Sequence, residues 1–324
     1  MVRTFMLACS LTLICGWGWA QSFPTKPITI IVGVAPGGTL DALARQVAQG
    51  LAPVLKQSVV VENTTGAGGL VGFQRLLKSE PDGHTLNFTN MSMLIIPHLH
   101  TKGGFDPLVD LVPVGSVATV PMVMAVSNAS GIKDLPTLME HMRRNPGKVN
   151  LGSGGPGTTA HLAEAMFLNM NKVEGTLVQY RGTGPALVDL MSGVLDGIID
   201  QTVTLMPLHA DKRVRAIAVS SGQRLPQMAD VPTFAEGGMP QFDLRIWNGL
   251  VAPKGTPRAT LDKLASALSQ VIDSPEFKER VEKQLASQIP SLNDRGPDAF
   301  RKVIEADHER VSSLVKAIGM KPAN

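Results

Sequence analysis

The chain has 324 residues and a formal net charge of +3. Its charges are scattered, so it offers no basic stripe to nucleic acid, and with 4 % aromatic residues a site built on stacked rings is disfavoured. Both cysteines, Cys9 and Cys15, lie in the first twenty residues, which leaves the rest without a disulfide framework, a thiolate nucleophile or a Cys-based zinc site.

Those first twenty residues read as a secretory leader. Arg3 supplies the positive start, Phe5 to Trp19 the apolar stretch, and Ala20 a small residue for cleavage before Gln21. The run is too short for a membrane span. Beyond it, roughly 300 residues suffice for a large ordinary core, expected as two lobes.

In chain order, Ile28 to Val34 is a β-branched run ended by Ala35-Pro36-Gly37-Gly38. Leu40, Leu43, Ala44, Val47 and Leu51 follow at helical spacing. Val59 to Val61 is the next strand, then a Gly-rich turn, a helix around Val71 to Leu77, and a strand over Thr85 to Thr89. Val114 to Ser127 reads as two apolar runs around Pro121. A helix over Leu135 to Arg144 has Asp134 as its cap and Gly147 past its end. Next come a strand near Val149 to Leu151, a long Gly turn, a helix from Thr158 to Met170, and a helix from Pro185 to Gly193. Gly197 to Asp200 and Arg215 to Val219 are strands. The Pro- and Gly-rich stretch Leu225 to Gly249 suggests a crossing between lobes. Three helices close the chain: Pro257 to Ile272, Pro275 to Gln284 and Pro297 to Ile318, with proline at each start. Strand, Gly turn, helix, strand is the α/β pattern of a mostly parallel sheet, and the last helices are expected to cover the first lobe.

Three Gly-rich turns stand between a strand and a helix: 35–39, 65–69 and 152–159. Such a turn presents unpaired N–H groups and the positive end of a helix dipole to one point. None contains lysine or arginine, so an anion there would be held by fixed amides. One such turn is ordinary α/β architecture, whereas several on one side of adjoining sheets favour binding, because ligands lie at the C-terminal ends of strands. Gly152-x-Gly154-x-x-Gly157 spells a dinucleotide turn, but no acidic residue follows at the expected strand end, and no P-loop is present. No cofactor is expected.

The segments VGVAPGGTLDALAR, VVVENTTGAGGLVG, PDGHTLNFTN, LGSGGPGTTAHLAE, QYRGTGPALVDLMSGVLDGIID, ADVPTFAEGG and WNGLVAPKGTP, in that order, resemble the substrate-binding proteins of tripartite tricarboxylate transporters, the Bug family. The resemblance runs from about Phe23 to the C-terminal helix. It implies an α/β type-II periplasmic binding fold, two lobes around a ligand cleft, with 21–121 and 245–324 forming lobe one and 122–244 lobe two. It implies a monomer in the periplasm whose partners are a small organic carboxylate and the membrane permease. The ligand carboxylate would meet Gly37, Gly38 and Thr39 from lobe one, and Ser153, Gly154, Gly155, Gly157, Thr158 and Thr159 from lobe two. Ala67, Asn90, Met91 and Ser92 would border the cleft, and Tyr180, Gly182, Asp200 and Thr202 would line its far wall. Val34, Leu40, Leu70, Met91, Met93 and Leu94 are smaller or more apolar than the family's pattern, which suggests a roomier pocket for an aromatic or longer-chain acid rather than citrate.

Other chemistry was weighed beside this. His98-Leu99-His100 lacks a third metal ligand and reads as a surface loop. His161, in the first turn of a helix, is divided between capping and ligand contact, and is expected neutral against the helix dipole. An α/β hydrolase is disfavoured, since the nucleophile elbow would need glycine at Leu151. Asp200 ends a strand facing the cleft, where it can accept a bond from a ligand amine or hydroxyl, or hold a water. An extracytoplasmic sensor that docks onto a signalling partner shares all of this chemistry and is the alternative.

Overall fold

Residues 23–101 and 104–322 are described by the structure, a computed structural model; the leader and both cysteines lie outside them. Ile28, Ile30, Ile31 and Val32 are fully buried. A β-branched run buried on both faces belongs in the interior of a parallel sheet, and β1 (Ile28–Val32) pairs in parallel with β2 (Val59–Asn63) and β3 (Thr85–Asn90). Helices α1 (Thr39–Leu55), α2 (Leu70–Leu77) and α3 (Ser92–Leu99) follow these three strands.

β4 (Leu111–Val126) is one strand of sixteen residues, not two runs broken at Pro121. Its first part, to Pro121, pairs antiparallel with β9 (Arg245–Pro253). From Val123 that edge is taken over by β8 (Arg215–Val219), while β7 (Gly197–Gln201) pairs along the other edge from Met122. Proline is tolerated because it sits where one partner gives way to the next, so its missing N–H costs little.

The second half repeats the first. α4 (Leu135–Arg144), β5 (Asn150–Ser153), α5 (Thr159–Asn171), β6 (Thr176–Gln179) and α6 (Thr183–Ser192) precede β7, and α7 (Thr202–Ala210) follows it. β5 runs parallel to β6 and β7. The sheet order is β2-β1-β3-β9-β4-β7-β5-β6, with β8 on β4. After β9 the chain stays with the first half: α8 (Arg258–Asp273) packs on α1 and β4, and α10 (Pro297–Ala317) on β4 and α3. Between them lie α9 (Pro275–Lys278) and a wider π-turn over Glu279–Gln284.

Local chemistry explains the helix starts. Asp134 accepts from Thr137 N at 2.8 Å, and Thr158 from His161 N at 3.3 Å, each satisfying one amide that the helix leaves unpaired. His98 departs from expectation: it lies in α3, not in an extended loop, because Ile95, Ile96 and Leu99 of the same helix are buried core.

Candidate functional site

In both halves a strand ends and a helix begins on the same side of the sheet. β1 feeds α1, β3 feeds α3, β5 feeds α5, β6 feeds α6 and β7 feeds α7. The first residues of these five helices, with the strand ends before them, enclose one cavity of about 30 Å³. Thr39 and Leu40 come from α1, Asn90 and Ser92 from the start of α3, and Thr158, Thr159 and Ala160 from the start of α5. Gly182 and Thr183 come from α6, and Asp200 and Gln201 from the β7–α7 junction; Val34 and Gly154 complete the lining. The first amides of a helix have no partner within it, and each helix start carries about half a positive charge. Among the described residues no lysine or arginine lines the cavity, and Asp200 is the one ionisable group that does.

The starts of α1 and α5 are built differently. Gly37 N donates to Asp41 Oδ2 at 3.1 Å, and Asp41 also accepts from Arg45 and Asn63. Burial opposes ionisation of Asp41, but these bonds outweigh it and hold the carboxyl below its ordinary range. Thr39 Oγ1 is buried with no hydrogen-bond partner. At α5, Thr158 caps the helix, and Gly157 N donates to His161 Nδ1 at 3.3 Å. Because Nδ1 accepts, His161 is neutral, and burial lowers its pKa accordingly. Its role is local, holding the turn that presents Thr159 and Ala160.

Asp200 is 2 % exposed. Burial raises its pKa, offset only in part by hydrogen bonds from the Gln201 amide, Thr183 and Thr204. Behind it, Glu164 is fully buried, held to Ile199 N at 3.4 Å with Oε2 unpartnered, and burial raises its pKa well above the usual carboxylate value.

Eight of the residues singled out in the sequence come together in the lining: Thr39, Asn90, Ser92, Gly154, Thr158, Thr159, Gly182 and Asp200. Gly37, Gly38, Gly155, Gly157 and Ala67 form the turns around it without lining it, while Met91 and Ser153 are buried beside it. Tyr180 and Thr202 are not in the lining; the Tyr180 hydroxyl donates to Asp189 Oδ2 at 2.5 Å, and Thr202 Oγ1 donates to Leu285 O. Of the apolar departures, Val34 and Leu40 line the cavity, whereas Leu70, Met91, Met93 and Leu94 belong to the core. Ala160, Thr183 and Gln201 were not singled out. Ala160 lies in the first turn of α5, where no side-chain signal marks it, and Thr183 sits inside the quoted Gly182-Thr183-Gly184 turn.

The halves touch at both ends of the cavity, backbone against backbone. Ala35 N donates to Arg181 O across the gap at 2.8 Å. Beside that bond, a β-carbon on Gly184 would overlap the Pro36 carbonyl oxygen; at the opposite end, one on Gly68 would overlap that of Pro156. Both contacts require glycine for the approach itself. A cavity of this size holds ordered water and lies far below the ~300 Å³ of a small-molecule site, so entry of a ligand requires these contacts to part.

Residues 43–320 match the family described as TctC, the tripartite tricarboxylate transporter family receptor. The chain superposes on the periplasmic binding protein BugD with a TM-score of 0.89 and 32 % identity, covering 93 % of this chain and 100 % of BugD. MatC from Rhodopseudomonas palustris, solved with malate, gives 0.87 at 30 % identity over 90 % of this chain and 100 % of MatC. An R. palustris protein solved with adipate gives 0.87 at 28 % identity, over 93 % of this chain and all of the other.

Proposed function

This chain belongs to the TctC family of tripartite tricarboxylate transporter receptors, and from that premise we propose that it captures a small organic carboxylate in the periplasm and delivers it to the membrane subunits of such a transporter. The observation that carries the reading is the convergence of five helix starts on a cavity with no lysine or arginine in its lining. Unpaired amides at helix starts suit a carboxylate, and charge-assisted bonds of this kind contribute about 1.5–3 kcal/mol each. The malate and adipate bound by relatives are acids of the size and charge this arrangement would take. Val34 and Leu40 add an apolar wall, which supports an acid with a hydrocarbon stretch, longer-chain or aromatic, over citrate.

We place the lobe boundary at Pro121 and Arg245, the last residues paired between β4 and β9. On this reading the ligand binds while the halves are apart, and closure completes its set of amides. Closure is favoured only as far as the ligand prefers the closed form.

Calorimetric titration of the protein with mono-, di- and tricarboxylates tests the proposal. Saturable binding by one class, with citrate weaker than the best aliphatic or aromatic acid, is expected. No binding across the panel would refute carboxylate capture, and citrate as the tightest ligand would refute the assignment of acid type.

A further inference from the structure

We propose that Asp200 is the specificity-determining acceptor of the cavity, selecting acids that carry a hydrogen-bond donor on the carbon next to the carboxylate over the same acids without it. This rests on the carboxylate reading above and adds the part of the ligand that the amides do not read.

Two carboxamides line the cavity, and each has its oxygen engaged elsewhere. Asn90 Oδ1 accepts from Ser92 N at 2.9 Å, and Gln201 Oε1 from Asn248 Nδ2 at 2.9 Å. No hydrogen bond from either lining NH₂ group to a cavity neighbour competes with a ligand there, so each faces an acid as a donor. The Thr158 hydroxyl is spent, donating to Gly155 O at 2.8 Å and accepting from His161 N. Thr39 Oγ1 is buried and unpartnered, free to donate to an acid. With the helix-start amides, the lining is rich in groups that suit a ligand carboxylate.

Asp200 is the one acceptor-only group in that lining. A carboxylate has about four acceptor sites. Thr204 Oγ1 donates to Asp200 Oδ2 at 2.9 Å, and Thr183 and the Gln201 amide also favour its charge, which is fewer donors than the carboxylate has sites. Asp200 lines the cavity. An acid that presents a methylene there leaves a buried carboxylate short of a donor and close to a second negative charge. An acid that presents a hydroxyl or an ammonium group supplies the missing bond, and bonds to charged groups of this kind correspond to about a ten- to hundredfold difference in affinity. The polar donor and the carboxylate must be near neighbours in the ligand, because Asp200, at the end of β7, and Thr159 and Ala160, at the start of α5, line the same small cavity.

Calorimetry with matched acids is the test: L-malate and L-aspartate against succinate, 2-hydroxyadipate against adipate, and mandelate against phenylacetate. In each pair that binds, the donor-bearing acid is expected to be at least tenfold tighter in the wild-type protein. Malate against aspartate tells whether the donor is a hydroxyl or an ammonium group. Asp200→Asn is expected to shrink that ratio to about threefold or less. Equal affinities within the pairs would overturn the proposal and leave carboxylate capture standing; failure of every acid to bind would overturn both. The wild-type ratios decide the matter even if Asp200→Asn does not fold.

Discussion

The start of α1 and the starts of α5, α6 and α7 across the cavity treat the positive ends of their helices in opposite ways. On the first wall, α1 carries Asp41 in its first turn, buried and bound to the Gly37 amide. That carboxylate already answers the dipole of α1 and takes up one of its amides. On the second wall, α5, α6 and α7 have no acidic residue in their first turns, and their positive ends are left for a ligand. On the proposed reading, the second half offers the anionic head more free helix-start amides, and the first half adds the apolar Val34 and Leu40, the Thr39 hydroxyl and, on closure, its remaining amides.

That asymmetry can be broken in graded steps. The largest effect is expected from Gly184→Ala. Its backbone φ is ordinary for any residue, so the second half folds, but the new methyl meets Pro36 of the other half. Overpacking of this kind costs about 1–3 kcal/mol, which calorimetry should read as a roughly 5- to 150-fold loss of affinity with an unchanged melting temperature of the free protein. Thr39→Val comes next. Removing a hydroxyl that has no partner in the free protein should leave stability level or raised, while losing one bond to the ligand weakens binding about 2- to 10-fold.

Asp41→Asn tests the first wall directly and in the opposite direction. With the compensating charge gone, anion affinity should rise about 2- to 5-fold. Its stability effect follows from linkage. The folded pKa of Asp41 lies below its unfolded value, so its contribution is complete above about pH 4 and is lost as pH falls through the folded pKa. The variant should be less stable at neutral pH and show a flatter loss of stability below about pH 4 in denaturant titrations. The smallest effect concerns Tyr180, the one tyrosine in the chain. Burial and the bond to Asp189 push its pKa up to about 12. Ultraviolet titration should therefore place tyrosinate formation near that pH with or without ligand, and a ligand-dependent midpoint would bring Tyr180 back to the cavity wall.

How much of this was legible in the sequence depended on whether a residue acts through its side chain pattern or through position alone. The strand–Gly turn–helix order and the cap Asp134 were readable because hydrophobic period and capping chemistry are local. β4 was read as two runs, since proline ordinarily breaks a strand and only the change of partner at Pro121 permits it. β6 has four residues and no buried face, and α7 is buried on all sides of its first turn with Pro207 inside it; neither shows a period to detect. Among the cavity's lining residues, Thr39, Gly154 and Asp200 stand in Gly-rich turns or at a strand end that the sequence marks. Gln201 was missed because its role depends on Asn248, which is distant in sequence and adjacent only after folding. The resemblance placed Tyr180 in the wall; its hydroxyl bonds Asp189, on the following helix, a pairing that becomes visible only after folding.

The central claim is that helix-start amides of both halves hold a carboxylate between them. A crystal structure of the protein with the tightest acid of the panel tests it most directly. The account predicts a ligand carboxylate within hydrogen-bond distance of the Thr159 and Ala160 amides, with the contacts from Gly184 to Pro36 and from Gly68 to Pro156 closed over it. An acid bound outside this cavity, or held there by a lysine or arginine side chain in place of those amides, would contradict it.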